Sequence, residues 1–394
     1  MKKEYSPFTP GLPVPLEFFV GRTREIQNIV ASTRKAFELK TIERLFITGE
    51  RGIGKSSLGK AALTVAERDL GALGLHVFLG GVDTPEEMVR RIFEKLLRES
   101  AEKPWHSKIK EFLGNHVRQL DIFGLTVEFS ASRDVLERAV SDFLPALKNL
   151  LKKIGGEKRG VLLMLDDLNG LATSARFANW LKSMVDELAV SRQQIPISLV
   201  LIGLPERRRQ LIERQPSLDR VFDVIEIRRF SEQETKEFFH RAFSQVGVSV
   251  QPEAHAHLWR LSGGYPVFLH ELGDAIFDVD QDGLIDPSDA LGGSFHAAEE
   301  IGRKYIEPKV LAAIRSEHYQ QILRKIAKRP FEHRFTRKDA AAGLTPDEAK
   351  VFDNFLRRME KLSVIRKDKE HGPGSYEFTS ELLYQFFWLQ AGTK

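Results

Sequence analysis

The segment Gly49–Ser56 sets the strongest limit on how this 394-residue chain folds, because its sequence is GERGIGKS. It follows the short apolar run 45–47 and precedes residues 58–65, where apolar side chains recur at helical spacing. A strand, a glycine-rich loop and a helix in this order form the phosphate-binding loop of parallel α/β folds. The pattern G-x-x-x-x-G-K-S therefore predicts an anion site at the start of a helix.

The residues of this loop predict what the anion is. Gly52 and Gly54 allow successive backbone N–H groups to turn toward one anion, to which the helix N-terminus adds its positive end. Lys55 is expected to reach the terminal phosphates and to act in catalysis, and Ser56 is expected to hold Mg²⁺. We therefore predict a site for a nucleoside triphosphate. The predicted contacts from this loop are Glu50, Arg51, Gly52, Ile53, Gly54, Lys55, Ser56 and Ser57.

Further apolar runs predict the sheet that carries this loop. They lie at 75–79, 161–165, 197–202 and 224–227, and helical patterns separate them. Because these runs do not alternate with polar residues, they predict an α/β fold with a parallel sheet covered on both faces. About 80 residues separate the second run from the third, which predicts an insertion at about 100–145. Alternation within residues 117–129 predicts a β-hairpin in that insertion.

Two aspartates follow the third of the predicted buried strands. Asp166 and Asp167 come directly after residues 162–165, at the carboxyl end of the strand, where open α/β sheets bind their ligands. We predict that Asp166 holds Mg²⁺ through water and that Asp167 orients or deprotonates an attacking water. The alternative is an ordinary polar turn.

Two further motifs carry a resemblance to a known family. Phe19–Glu25 reads FVGRTRE and residues 264–266 read GYP. With the glycine loop and the aspartate pair, they resemble the motifs of P-loop ATPases of the AAA+/STAND assemblage, above all prokaryotic STAND-like ATPases with a C-terminal winged helix. The resemblance implies ATP and Mg²⁺ as ligands. It also implies that Val20, Gly21 and Arg22 contact the nucleotide and that Pro266 packs near the base.

The same resemblance implies a domain order and an activity. The expected domains are a nucleotide-binding domain at 1–230, a helical lid at 231–312 and a winged helix at 313–394. Many AAA+ proteins carry glutamate where this chain has Asp167, so the expected ATP hydrolysis is slow and serves a conformational switch. Arg220 lies where relatives place an arginine finger that reaches a neighbouring subunit, which implies self-association; an ordinary surface arginine is the alternative. The residues after the fourth strand, 202–206, offer only backbone and Glu206 as a phosphate sensor.

An aspartate-rich loop, residues 278–289, has the spacing of a calcium-binding EF-hand. Its carboxylates stand at loop positions 1, 3, 5, 9 and 12, with glycine at position 6. The expected calcium ligands are Asp278, Asp280, Asp282 and Asp289. The alternative is that the end of this loop, 286–289, is a helix N-cap.

The C-terminal part of the chain is basic. Residues 301–370 hold 18 Lys and Arg against 10 Asp and Glu, whereas residues 1–300 hold 40 against 43. A helix predicted from 345 to about 362 carries Lys350, Asn354, Arg357, Arg358 and Lys361. An alternative function is therefore ATP-dependent binding of duplex DNA, as in initiators or transposon regulators. In relatives the C-terminal winged helix also serves as a lid on the nucleotide-binding domain or binds protein.

Composition excludes several other classes of protein. Apolar residues at 42% and charged residues at 29% exclude a disordered chain, and the absence of cysteine excludes disulfides, thiolate metal sites and thiol catalysis. No apolar run approaches the roughly 18 residues of a membrane span, and residues 1–19 lack the apolar region of a signal peptide. We expect a cytoplasmic protein with no membrane partner.

Overall fold

The structure, a computed structural model, describes residues 5–11, 19–114, 117–120, 126–129, 131–190, 195–328, 333–368 and 370–392. The chain divides into two compact units. One is Pro15–Arg228, and the other combines Met1–Val14 with Arg229–Lys394. The boundary after Arg228 lies close to the predicted domain end at 230. The predicted division of the C-terminal part at 312 stays a prediction.

The unit Pro15–Arg228 is an α/β structure in which helices alternate with strands. Its helices are α1 (Thr23–Leu39), α2 (Lys55–Leu70), α3 (Pro85–Ser100), α4 (His106–Leu113), α5 (Arg133–Ser141), α6 (Phe143–Ile154), α7 (Ala175–Val190) and α8 (Pro205–Arg214). Its strands are β1 (Ile42–Gly49), β2 (Ala72–Phe78), β3 (Val117–Leu120), β4 (Thr126–Phe129), β5 (Gly160–Asp166), β6 (Ile197–Gly203) and β7 (Asp223–Ile227).

Five strands form one parallel sheet in the order β2-β5-β6-β1-β7. Strands β5 and β6 are buried along their whole length, as their unbroken apolar sequence predicts. The predicted α/β fold with a parallel sheet is therefore confirmed. The predicted hairpin is also present, since β3 pairs with β4 in antiparallel register from Val117 opposite Phe129 to Leu120 opposite Thr126.

The register of the sheet decides which side chains meet at its edge. Strand β6 lies between β1 and β5, with Gly203 opposite Thr48 and Ile202 opposite Asp166. The carboxyl ends of β1 and β5 are therefore level with each other, about 10 Å apart by the usual strand spacing. The glycine loop after β1 and the aspartates after β5 leave the sheet at the same edge.

The second unit is mainly helical and ends with a small sheet. Its helices are α9 (Glu232–Gln245), α10 (Pro252–Ser262), α11 (Pro266–Val279), α12 (Pro287–Ile301), a π-helical stretch (Gly302–Leu311), α13 (Glu317–Ala327), α14 (Arg337–Ala342), α15 (Pro346–Lys361) and α16 (Glu381–Gly392). Its strands are β8 (Ser249–Val250), β9 (Leu284–Ile285), β10 (Arg334–Thr336), β11 (Ile365–Lys367) and β12 (Ser375–Phe378). Strand β12 lies between β10 and β11 and is antiparallel to both. None of the helices in the described ranges is long and apolar enough to cross a bilayer.

Phe8 anchors the start of the chain in this second unit. Its ring is buried and makes an edge contact with Phe243 at 5.0 Å between centroids, and it also meets Phe238 and Phe239 of α9. The next residue donates its backbone N–H to Nδ1 of His270 at 3.2 Å. Burial lowers the pKa of His270 to about 4, so its ring is neutral near pH 7 and accepts this bond. The segment before the first domain is thus part of the helical core.

Replacing the anchor tests this packing. Phe8→Ala should destabilise the helical unit by about 3 to 5 kcal/mol, because it removes a buried aromatic ring and leaves a cavity. Urea unfolding measures the loss, and faster amide exchange in α9 and α11 locates it. The control is Tyr5→Ala, since Tyr5 is 82% exposed and its removal should leave both measurements unchanged. Equal unfolding of the Phe8 variant and the wild type would contradict the anchor.

Candidate phosphate-binding site

The loop between β1 and α2 has the backbone that an anion site requires. Gly52 and Gly54 have φ angles of 80° and 90°, in the left-handed region that side chains disfavour. Gly54 precedes the first residue of α2, and no side chain caps that helix. The first N–H groups of α2 consequently remain available to a ligand at the positive end of the helix.

Lys55 lies inside this loop. Its Nζ donates to the carbonyl oxygens of Gly49 and Glu50 at 3.0 and 2.8 Å. Burial lowers the pKa of the Lys55 ammonium to about 8, while the carboxylates of Asp166 and Asp167 act on that pKa in the opposite direction. The lysine therefore lies within the electrostatic reach of both aspartates. The structure brings these three predicted site residues together.

The two aspartates differ in their surroundings. Asp166 is only 4% exposed, and its Oδ2 lies 2.9 Å from Nε2 of His76 on β2. Asp167 has a φ of 62°, and its Oδ1 accepts a hydrogen bond from the side chain of Asn169. Oδ1 of Asn169 in turn accepts from Nε of Arg207 at 2.9 Å. Each aspartate thus has its own supporting side chain.

His76 and Arg207 are the residues that sequence reasoning missed. The signal for His76 was a single polar residue within the apolar run 75–79, on a strand buried at that point. Arg207 stands directly after the segment 202–206, whose expected phosphate sensor was Glu206 or the backbone. Its guanidinium is linked to Asp167 through Asn169, because α8 begins at the same sheet edge.

The FVGRTRE motif, residues 19–25, has a structural role in the unit Pro15–Arg228. Val20 is buried, and Gly21 and Arg22 both have positive φ angles, of 69° and 61°. The buried guanidinium of Arg22 donates to the carbonyl oxygen of Arg228, just after β7, and lies 3.6 Å from the carboxylate of Glu25. The motif therefore fixes the start of α1 to the end of an edge strand. Nucleotide contact by these residues stays a prediction.

Arg220 and Pro266 stand on elements other than the glycine loop and β5. Arg220 ends a short 3₁₀ turn, Pro216–Arg220, and is exposed. Pro266 is the first residue of α11, in the helical unit. The preceding Gly264 accepts from the backbone N–H of Phe230 at 2.8 Å, which fixes the GYP segment within that unit. The roles predicted for both residues stay predictions.

The aspartate-rich loop does not assemble the expected calcium ligands. Oδ1 of Asp280 accepts the backbone N–H groups of Asp282 and Gly283, and Oδ2 of Asp289 accepts that of Asp286. Asp278 is exposed on α11. Asp286 and Asp289 form a reciprocal capping box at the start of α12. These carboxylates accept turn and cap hydrogen bonds, as the helix-cap alternative predicts, and calcium binding by this loop stays a prediction.

The donor set at the sheet edge suits a magnesium–polyphosphate complex. A cationic side chain and open helix N–H groups attract phosphate oxygens, whereas Ser56 and the aspartates are hard oxygen ligands of the kind Mg²⁺ prefers. In the described ranges no three His, Cys, Asp or Glu side chains converge on one metal position. A cation here would therefore complete its coordination shell with phosphate and water oxygens, as Mg²⁺ does in phosphate sites.

Comparison with known proteins agrees with this geometry. Residues 19–202 match the family model described as AAA ATPase domain, a range that runs from the FVGRTRE motif to β6. A Walker-type ATPase of Pyrococcus abyssi is 18% identical, with a TM-score of 0.55, and the match covers 94% of this chain and 96% of that one. The ORC2 protein of Aeropyrum pernix, solved as ADPNP–ADP complexes, is 13% identical with a TM-score of 0.56, over 99% and 98% of the two chains. No curated protein matches the chain. At these identities the likeness shows the fold, which is that of P-loop ATPases.

The lowered pKa of Lys55 predicts how nucleotide binding depends on pH. Bound phosphates raise the pKa of the ammonium from about 8 by Coulomb attraction, so binding takes up a proton near and above that pH, and affinity falls as pH rises. Calorimetry of ATP binding at about pH 8.5, in two buffers of different ionisation enthalpy, measures the uptake, since the terminal phosphate is then fully ionised. Lys55→Arg is the control, because arginine stays charged and should show none. Equal uptake by both proteins would refute the assignment to Lys55.

Proposed function

We propose that the protein binds ATP with Mg²⁺ and hydrolyses it slowly, as a nucleotide-dependent conformational switch of the STAND type. The observation that carries this proposal is the meeting of Lys55, inside a glycine-rich loop, with the two aspartates that follow β5. The match to the AAA ATPase domain and the likeness of fold to a Walker-type ATPase support it.

Each residue of the site has a role that follows from its chemistry. Lys55 and the N–H groups at the start of α2 bind the phosphates, and Ser56 and Asp166 hold the metal, Asp166 through water. Mg²⁺, when bound, neutralises charge on the β- and γ-phosphate oxygens. Asp167 orients the attacking water and takes its proton.

The position of Asp167 supports a slow reaction. In this structure Oδ1 of Asp167 accepts a hydrogen bond from Asn169, so that oxygen is occupied by the protein. Asp167 is also one methylene shorter than the glutamate of many AAA+ proteins, which leaves more distance to a water at the γ-phosphate.

The connections between the units support the switch. The chain passes from one unit to the other at 14/15 and again at 228/229. Arg22 holds the carbonyl of Arg228, while the guanidinium of Arg229 lies 4.0 Å above the ring of Tyr265, the residue before Pro266. The first motif therefore contacts one of two consecutive residues, and the residue before Pro266 contacts the other. We propose that nucleotide-dependent changes act on the chain at this point.

The C-terminal segment is proposed to be a winged helix. Helix α13 is followed by β10, α14, α15 and the strand pair β11–β12, and the three strands form one antiparallel sheet. This is the order of elements in a winged helix-turn-helix, with α15 in the place of the recognition helix.

DNA binding is the second candidate function, and the ion pairs of this segment narrow the residues that would carry it. Arg357 and Lys361 are exposed on α15, and Lys367 is exposed on β11. By contrast, Lys350 pairs with Asp347 at 2.8 Å and Arg366 with Glu377 at 2.6 Å. Some basic side chains of this segment are therefore already paired with carboxylates, and phosphate contact would rest on Arg357, Lys361 and Lys367.

Two substitutions separate binding from turnover in the main proposal. Lys55→Ala should weaken ATP binding by at least about tenfold, because it removes a charged hydrogen-bond donor to phosphate. Asp167→Asn should leave affinity nearly unchanged and lower turnover by about 10²- to 10⁴-fold, the usual contribution of a general base. A fluorescent ATP analogue measures affinity, and phosphate release measures turnover. The control is Lys60→Ala, an exposed lysine one turn further along α2. Unchanged affinity in the Lys55 variant would count against the proposal.

A duplex titration tests the second candidate. Binding measured at two salt concentrations, with and without ATP, should show a steep salt slope, and Arg357→Ala and Lys361→Ala should each reduce that slope by about one. Lys350→Ala is the matched control and should change it less, because Asp347 already neutralises this lysine. Absence of duplex binding at low salt would remove this candidate.

A further inference from the structure

A buried imidazole contacts the carboxylate to which we assign the metal. His76 is 9% exposed and lies on β2, at the edge of the parallel sheet. Its Nε2 lies 2.9 Å from Oδ2 of Asp166, whose own exposed fraction is 4%. Because both side chains are buried, this contact belongs to the interior of the site and not to the protein surface.

The ring of His76 is held from two sides. The Phe78 ring stacks on it, with 4.6 Å between centroids and 25° between planes. On another side lies Gly59 of α2, where a Cβ atom would come within 3.3 Å of Cε1 of His76. Gly59 is one turn after Lys55, so the imidazole packs beneath the first turn of the helix that begins at the phosphate-binding loop. Its position depends on both the sheet and that helix.

The register explains how His76, and not Phe78, reaches the carboxylate. Phe78 is directly opposite Asp166 and His76 is opposite Met164, so His76 stands two residues earlier on the same face of the sheet. A side chain must therefore reach diagonally across the strand pair, which an imidazole can do. Phe78, although closer in register, has no hydrogen-bond donor.

We propose that His76 is a positioning residue for Asp166. It donates Nε2–H to Oδ2 and fixes the rotation of the carboxylate before a metal arrives, which leaves the other oxygen to meet the water shell of Mg²⁺. This inference rests on the proposed function, in which Asp166 anchors Mg²⁺. Groups that orient a metal-binding carboxylate in this way typically change metal affinity or activity by 10- to 100-fold when removed.

The test measures how much Mg²⁺ tightens nucleotide binding. The dissociation constant of a fluorescent ATP analogue is determined with Mg²⁺ and with EDTA, and their ratio is compared between proteins. His76→Leu should reduce the ratio by about tenfold or more. His76→Gln, whose side-chain amide places a donor near the position of Nε2, should retain most of it. Affinity in EDTA should stay the same in both variants, because the phosphate-binding loop is unchanged.

One further variant makes the outcomes distinct. Asp166→Asn should lose the Mg²⁺ effect, and an unchanged ratio there would overturn the proposed function itself. If Asp166→Asn loses the effect while His76→Leu keeps it, only the role of His76 is overturned. Equal losses in His76→Leu and His76→Gln would also overturn it, because the donated hydrogen bond would then not be the cause.

Packing and folding are controlled separately. Phe78→Leu removes the stacked ring but keeps the imidazole donor, and it should reduce the ratio much less than His76→Leu does. Thermal unfolding without nucleotide checks that each variant is folded. If His76→Leu does not fold, His76→Asn replaces it, since its amide is too short to reach Oδ2 from the same backbone position. A wild-type ratio in His76→Asn would then overturn the role.

Discussion

The contacts of one partly buried ammonium group, that of Lys55, connect the parts of this site. A partly buried cation is costly unless carbonyl or carboxylate oxygens compensate it. Here two backbone carbonyls of the glycine loop accept its hydrogen bonds, and two aspartates on a different strand supply negative charge. The loop and the aspartates are therefore coupled through one side chain before any ligand binds. The parallel sheet makes this coupling available, because it ends β1 and β5 at the same level.

Much of this arrangement follows from local sequence. The loop Gly49–Ser56 has a fixed relation to the strand before it and the helix after it, so its pattern predicts both elements. Unbroken apolar runs predict buried parallel strands, and the carboxyl end of such a strand is where Asp166 and Asp167 were expected and are found. The hairpin of β3 and β4 was predictable for the same reason, since alternation with a period of two is a local signal.

The rest depends on register and distance along the chain. His76 and Asp166 are 90 residues apart in the chain. The local sequence does not predict the register of β2 and β5, which places His76 two residues before the position opposite Asp166. The bond from Arg22 to the carbonyl of Arg228 spans 206 residues. The use of the aspartate-rich loop is hard to predict for a different reason. Closely spaced aspartates serve turns, helix caps and metal sites alike, and only the direction of each carboxylate distinguishes these uses.

The anchor at Phe8 has a consequence for the order in which the protein is made. The segment around Phe8 is synthesised before α9 and α11, which bury its ring and lie more than 200 residues later in the chain. The parallel sheet is complete once β7 has left the ribosome, so it can form while this aromatic ring is still without its pocket. The segment around Phe8 therefore reaches its final place only after α9 and α11 have been synthesised.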